Sequence, residues 1–305
     1  MIITKLAGGL GNQMFQYALG RRLALKHKTI LKLDTSFLLD RTPKENFTYR
    51  NYELGVFAIE SEIAKPAETA KFTYKPVGYL DKLIHRLPHR FRPYVVCDEP
   101  PFNYTYYETA ITKSNRNTYL SGFWQSEKYF KDVESIIRSD FRFAVPPDDE
   151  NETLLRLIGN VCSVSLHVRR SDYVDNQISN QYHGSCMPYY YQQAMQLVSG
   201  KVSNPHFFVF SDDPVWASEH LQFSGSVTFV NFNHGNKSYE DLRLMSHCRH
   251  HIIANSSFSW WGAWLNYNPN KMVIAPKQWI NPDSVWARKH GIMVVDVLPK
   301  NWITL

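Results

Sequence analysis

The chain has little with which to cross-link itself. Its 305 residues include four cysteines, at 97, 162, 186 and 248, and no C-x-x-C pair. Cysteines so few and so far apart exclude a disulfide scaffold, and a reducing compartment is the expected setting. Long apolar runs are lacking as well. No stretch reaches the roughly 18 consecutive apolar residues of a membrane span, and Asn and Ser interrupt the uncharged segment from Ile252 to Asn270. The opening Met1-Ile2-Ile3-Thr4-Lys5-Leu6 reads as a strand, without the charged start and cleavage site of a secretory signal. Charge is not concentrated either. Lys and Arg number 34 against 28 Asp and Glu, a net charge of +6, scattered apart from one short basic cluster at 85–92. A nucleic-acid binder gathers its cations on a face or tail, so nucleic acid is not expected as a partner.

What the chain does have is ordinary globular chemistry, 44% hydrophobic and 20% charged. At about 150 residues per domain the length predicts two domains. Strand-like and helix-like segments alternate from the start. Ile2–Leu6 is followed by a glycine turn, a helical pattern to about His27 and a second strand ending at Asp34. From 43 to 117, prolines punctuate the sequence and no clean topology follows. Order returns with a strand near Tyr119. The run Phe143–Asp149, with Pro146-Pro147-Asp148-Asp149, reads as a linker. Beyond it come a helix from about Glu150, a strand Val161–Val168, a helix from Pro188 and strands at 206–210 and 227–231. A helix at 239–248 and strands at 252–254 and 272–275 complete the series. Apolar strands alternating with helices predict an α/β fold whose parallel sheets are covered on both faces. The expected division is 1–145 and 146–305, two Rossmann-like domains facing a cleft, with a return of the chain to the first domain allowed at the C-terminus.

Four segments carry candidate chemistry. Gly9-Leu10-Gly11-Asn12-Gln13-Met14 nearly completes a dinucleotide fingerprint, with Asp34 about twenty positions on, but Met14 stands in place of the third glycine. It marks either a nicotinamide site or simply a tight turn exposing N–H groups at a helix start. In Val164–Arg169, period two sets Ser165, His167 and Arg169 on one strand face and Val164, Leu166 and Val168 on the other. An arginine at such a strand end suits phosphate. Arg170 is expected to pair with a neighbouring acid, and Asp172 reads as a base, an orienting partner of Arg169 or a loop cap. Ser211-Asp212-Asp213-Pro214 allows a cation site, a nucleobase contact or the N-cap of a helix starting at Pro214. Lastly, Ala254-Asn255-Ser256-Ser257-Phe258 leads into Ser259-Trp260-Trp261-Gly262-Ala263-Trp264. Hydroxyls and amides at this helix start suit phosphate, while the tryptophans are expected in the core. His247, Cys248, His250 and His251 fit no zinc spacing and read as a helix end with partly exposed histidines.

Together these segments resemble the bacterial α-1,2-fucosyltransferases of glycosyltransferase family 11, which also includes the animal blood-group H enzymes. The resemblance rests on Gly8–Ala18, on Gly122-Phe123-Trp124-Gln125-Ser126-Glu127-Lys128-Tyr129-Phe130 and on His167-Val168-Arg169-Arg170-Ser171-Asp172-Tyr173. Asp241-Leu242, Met245-Ser246 and Ala254–Trp261 complete it. Family members commonly carry Gly where this chain has Ser171. The resemblance implies a GT-B-like fold and inverting, metal-independent transfer of L-fucose from GDP-β-L-fucose to a galactose 2-hydroxyl, in a bacterial surface glycan such as O-antigen or capsule. No cofactor is implied beyond the donor substrate; the other partner is a galactose-terminated oligosaccharide. In this reading His167, Asp212 and Asp213 sit near guanine and ribose. Arg169 faces the departing phosphate, with Ser256, Ser257 and Phe258 completing the cradle, and Asp172 is the first candidate base ahead of Asp175. Gly9, Gly11 and Asn12 close the site from the other domain, and loops within 43–117 select the acceptor. The expected location is cytoplasmic, with peripheral contact at the inner membrane. The competing readings are a metal-dependent transferase using Asp212 and Asp213, a nicotinamide enzyme, and a glycan-binding protein without catalysis.

Overall fold

A computed structural model describes residues 1–43, 48–73, 88, 91–100, 103–170, 184–281, 283, 288 and 293–305. The chain divides into two compact units. One comprises Met1–Ala144 with Met293–Val297, the other Val145–Ile292 with Leu298–Leu305.

The strands of the first unit are β1 (Ile2–Lys5), β2 (Leu31–Asp34), β3 (Glu62–Ile63), β4 (Val95–Asp98), β5 (Asn103–Tyr104) and β6 (Thr118–Ser121). The second unit contributes β7 (Cys162–Val168), β8 (Pro205–Ser211), β9 (Ser226–Val230), β10 (His250–Ile252) and β11 (Val273–Ala275). The last two strands are β12 (Met293–Val294) and β13 (Ile303–Thr304). β12 pairs with β5, which ties the late segment Met293–Val297 into the first unit. The first unit's helices are α1 (Leu10–Lys26), α2 (Ser36–Leu39), α3 (Pro66–Thr73), α4 (Thr109–Thr112) and α5 (Glu134–Asp140). The second unit has α6 (Asp149–Asn160), α7 (Pro188–Ser199), α8 (Pro214–His220), α9 (Tyr239–His247) and α10 (Ser257–Leu265).

Each unit is built on a parallel sheet. The first runs β3-β2-β1-β6-β4, the second β13-β11-β10-β7-β8-β9. In the second sheet the earliest strand, β7, lies at the middle. The next two extend to one side and the later three to the other, the doubly wound Rossmann order. Winding reverses between β7 and β10, and in the first sheet between β1 and β6. Ligands of such sheets bind outside the carboxyl ends of the strands at these reversals.

Apolar residues on both strand faces explain the layers. Val164, Leu166 and Val168 pack with Tyr191, Ala194 and Val198 of α7, while Phe208 and Phe210 pack with Leu154 and Ile158 of α6 and Leu244 and Met245 of α9. Helix α6 begins where the linker was expected. Asp148 caps it by accepting from the Asn151 N–H at 3.1 Å, and Asp149, Glu150 and Glu152 suit its positive end.

The histidine cluster meets the expectation only in part: His247 ends α9 and is exposed, but the next two histidines lie in a strand. Instead of ending a helix half-exposed, His250 and His251 form part of β10, and His251 is fully buried. Its Nε2 accepts from Asn266 Nδ2 at 2.6 Å, so the ring's proton sits on Nδ1, 2.8 Å from Ser165 Oγ. Burial holds its pKa well below the ordinary histidine range. Sheet pairing to β7 and β11 buries a polar side chain that composition alone would leave at the surface. No helix among the described residues is long and apolar enough to cross a membrane.

Candidate functional site

The reversal in the second sheet brings two sequence segments side by side. β7 delivers His167, Arg169 and Arg170 at its carboxyl end; β10, its paired neighbour, leads through Asn255 into the start of α10. His167 is buried, with its ring centroid 5.9 Å from that of Phe258 in the first turn of α10. Its Nδ1 is buried and has no hydrogen-bond partner among the described residues. Burial, with Arg169 adding to it against Asp212, pushes its pKa down to about 4, so the ring is neutral at pH 7.

Ser256 is the N-cap residue of α10, but its side chain makes no capping bond, and the first turn contains no acid. Among the described residues, the helix therefore presents its positive end at this strand end without an acid of its own first turn. Asn255 fixes the approach, its Nδ2 donating to Gly184 O at 3.0 Å and its Oδ1 accepting from the Cys186 thiol at 3.5 Å. Ser257 and Phe258 are half-buried. Trp260, Trp261 and Trp264 are buried and pack against one another and Trp302, as core residues.

Asp212 and Asp213 follow β8, the strand on the other side of β7, and both face arginines. Asp212 Oδ2 lies 3.0 Å from Arg169 Nη1, and its Oδ1 accepts from the Arg170 N–H at 2.8 Å. Asp213 Oδ2 is 3.4 Å from Arg170 Nε, and its Oδ1 caps α8 by accepting from Trp216 N–H at 3.1 Å. The Arg170 guanidinium lies 3.8 Å over the Trp216 ring. Two guanidinium groups thus hold the carboxylates that a metal-dependent transferase would turn toward a cation. Among the described residues no group of three or more His, Cys, Asp or Glu side chains is placed to hold a metal. Asp172, Asp175 and Ser171 lie outside the described residues.

The reversal in the first sheet gathers the other two segments. Gly8 has φ +77, and a Cβ there would lie 2.4 Å from Asn12 Nδ2, so glycine is required. Gly9 caps α1 through its backbone, and Gly11 lies inside the first turn. Asn12 Oδ1 accepts from Gln125 Nε2 at 2.8 Å. Gln16 joins the two strand ends, its Oε1 accepting from Ala7 N–H at 3.0 Å and its Nε2 donating to Gly122 O at 3.1 Å. Gln13 donates to Gly8 O and Asn51 O. The Glu53 carboxyl lies beside the start of α1, and burial, opposed by Arg50 and the Leu10 N–H, raises its pKa. An acid of the chain itself thus occupies the positive end that a dinucleotide pyrophosphate would need.

Sequence reasoning passed over two side chains here, Glu53 and Glu99. Glu99 follows β4 and accepts from the Phe123 N–H at 2.6 Å and the Trp124 N–H at 3.1 Å. Burial, opposed by those two bonds, pushes its pKa up to about 7. Both acids lie in the proline-punctuated stretch where no local pattern marked them; only the sheet order brings them to this strand end.

Two Rossmann-like units, with arginines and an acid-free helix start at one sheet reversal, define the nucleotide-sugar transferase class of GT-B-like α/β proteins. The sequence pattern of glycosyl transferase family 11 matches residues 103–303, and the chain belongs to that family. It is a catalytic glycosyltransferase. Among its relatives is an Escherichia coli protein named alpha-1,2-colitosyltransferase, 33% identical over 100% of this chain and 99% of that protein. The E. coli O-antigen biosynthesis glycosyltransferase WbnK is 31% identical over 90% of this chain and 93% of its own length. Galactoside alpha-(1,2)-fucosyltransferase 1 of Saimiri boliviensis boliviensis is 28% identical over 48% of this chain and 42% of its own length.

Proposed function

We propose that the protein transfers L-fucose from GDP-β-L-fucose to the 2-hydroxyl of a terminal galactose, inverting the anomeric centre to give an α-1,2-fucoside in a bacterial surface glycan such as O-antigen. The observation that carries this reading is Arg169 at the carboxyl end of the central strand β7, beside the acid-free start of α10. In the proposed step the acceptor oxygen forms a bond to the anomeric carbon, and the bond from that carbon to the β-phosphate oxygen breaks. GDP departs with the electron pair, and the acceptor proton passes to a base, with Asp172 the first candidate. Arg169 meets the charge that grows on the departing phosphate, which helps most where the transition state develops it. The α10 amides at Ser257 and Phe258, with the Ser256 hydroxyl, hold the diphosphate. Neutral His167 offers Nδ1 to the nucleoside. Asp212 sets the direction of Arg169, and Asp213 that of Arg170; either could also reach ribose. Gly9, Gly11 and Asn12 serve the acceptor side. None of these steps calls on a metal. Cytoplasmic assembly, with peripheral contact at the inner membrane, is the setting we propose.

Two of the relatives support this reading by the α-1,2 linkage in their names, and a third by its place in O-antigen biosynthesis. One of them favours a second donor, since the full-length relative at 33% identity is named for colitose, the 3-deoxy counterpart of fucose. The test incubates the protein with GDP-L-fucose, and in parallel with the colitosyl nucleotide, using lactose, N-acetyllactosamine and the type-1 disaccharide as acceptors. Linkage analysis should return an α-1,2 product, and Arg169→Ala should lower its rate by about 100-fold or more with the protein still folded. Transfer from the colitosyl donor alone would move the assignment to that sugar. Loss of transfer on chelation, restored by Mn²⁺, would overturn the mechanism.

A further inference from the structure

Beside the glycine turn of the first unit lies a surface not yet given a role. Phe123 lies two residues beyond β6 and is an aromatic residue with 39% of its surface exposed, while the next residue, Trp124, is completely buried. The two are set in this contrast by an unusual backbone. Trp124 has φ +56, a left-handed conformation that a bulky residue adopts only when its surroundings impose it. Three neighbours impose it. The Glu99 carboxylate accepts from both successive N–H groups, Phe123 at 2.6 Å and Trp124 at 3.1 Å. Gly122 packs against Glu99 so closely that a Cβ would lie 2.4 Å from Glu99 Cβ. The Trp124 ring is locked edge-on against Tyr129, with centroids 5.5 Å apart.

Strain maintained from three sides is costly, and it clusters where a side chain must be aimed. Here it aims an exposed aromatic ring at the carboxyl end of β6, the strand at which the first sheet reverses. The same strand end is bound to the glycine turn by Gln16 and Gln125. A carbohydrate offers a ring face of C–H groups bordered by hydroxyls, and a flat exposed aromatic ring recognises that face while amides meet the hydroxyls.

We propose that Phe123 is a stacking platform for a pyranose ring of the acceptor glycan, and that Glu99 is the positioning residue that holds it. The proposal rests on the glycosyl-transfer reading for its acceptor, though pyranose binding can be measured without transfer. The platform is distinct from the donor-binding strand end of the second unit.

The experiment has two independent readouts on the full chain. Saturation-transfer NMR measures binding of lactose and methyl β-galactoside to wild type, Phe123→Ala and Phe123→Tyr. Steady-state kinetics then gives donor and acceptor KM separately. Phe123→Ala should weaken disaccharide binding and raise the acceptor KM by about fivefold to tenfold, the scale of one aromatic contact. Donor KM and stabilisation by GDP should stay at wild-type values, and Phe123→Tyr should preserve both readouts. Glu99→Ala should raise the acceptor KM similarly with Phe123 intact, and Glu99→Gln, which keeps one acceptor oxygen, should recover part of it. A folded Phe123→Ala protein with unchanged disaccharide binding would overturn the platform. So would a wild-type protein that binds neither saccharide. A wild type that binds lactose through Phe123 but transfers nothing from either nucleotide would instead refute the proposed reaction and support the platform.

Discussion

Two adjacent aspartates at the end of β8 serve different partners, although their sequence context is shared. Asp213 combines a cap for α8 with a long ion pair to Arg170, whereas Asp212 reaches both the Arg169 guanidinium and the backbone of Arg170. Asp213→Ala should therefore cost about 1 kcal/mol of stability, the usual price of an N-cap, and affect donor KM less than a change at Asp212. Asp212→Asn keeps an acceptor for the Arg170 N–H but removes the charge opposite Arg169. It should leave thermal stability close to wild type and raise the donor KM several-fold. Denaturant melts read beside donor kinetics check the pair, and equal effects at both positions would contradict the division. The cap was legible in the sequence, because Asp-Pro at a strand end is a local helix-start signal. An acid opposite Arg170 was also expected, and Asp213 supplies it; which acid would meet which arginine was not legible, since about forty residues separate each aspartate from its arginine and strand pairing brings them together. Sequence alternation did place His167 and Arg169 on one strand face. It could not foresee that His167 Nδ1 would be buried without a partner among the described residues.

At the scale of elements, the glycine turn and α1 show how a familiar local pattern acquires a different use. From sequence, Gly9-x-Gly11 preceding a helix matched a phosphate-binding turn in two of its three glycines. Folded, the start of α1 faces Glu53, and the Gln13 and Gln16 side chains spend their hydrogen bonds on backbone groups of neighbouring segments. The essential glycine is Gly8, just ahead of the pattern. Gly8→Ala must place a side chain at φ +77 against Asn12, and should lose about 1–3 kcal/mol of stability from backbone strain alone. Because Asn12 holds Gln125, the same change should raise the acceptor KM with little effect on GDP binding. Calorimetry and acceptor kinetics on the folded fraction test this; a raised donor KM with normal acceptor KM would argue against an acceptor-side turn. The regular elements were legible because each carries its own pattern, period two for β7, an unbroken apolar run for β8 and near 3.6 for α6 and α7. The short strands β3 and β4 were not. With two to four residues each, in a proline-rich stretch, they draw their definition from pairing with β2 and β6.

Across the whole molecule, buried ionisable groups make stability depend on pH with opposing signs. Burial raises Asp241 in the second unit and Glu99 in the first to about 7 each, well above a free carboxylate. Each holds a proton in the folded state that the unfolded chain has released, so each favours folding at low pH. That contribution is lost as pH rises from about 4 to about 7. His167 works the other way. With its pKa pushed down to about 4, the folded chain binds fewer protons than the unfolded chain between pH 4 and 6.5, so its contribution falls as the solution is acidified. The sum is partly cancelling and a wild-type profile hides it. A single substitution separates the terms. Asp241 accepts from Asn233 Nδ2 at 2.9 Å, and an asparagine at 241 can offer its oxygen to the same bond. Asp241→Asn should therefore melt near wild type at about pH 4, where both side chains are neutral. The variant should gain on wild type as pH rises toward 7, then keep a constant advantage above it, because only the wild type must ionise a buried carboxyl. Melting temperatures of both proteins from pH 4 to 8 decide the matter, and a difference that stays constant across that window would show Asp241 ionising as freely folded as unfolded. An acid that costs stability at neutral pH, on the first turn of α9 and within the family-like segment of the sequence, is the kind of group that selection for folding alone would replace.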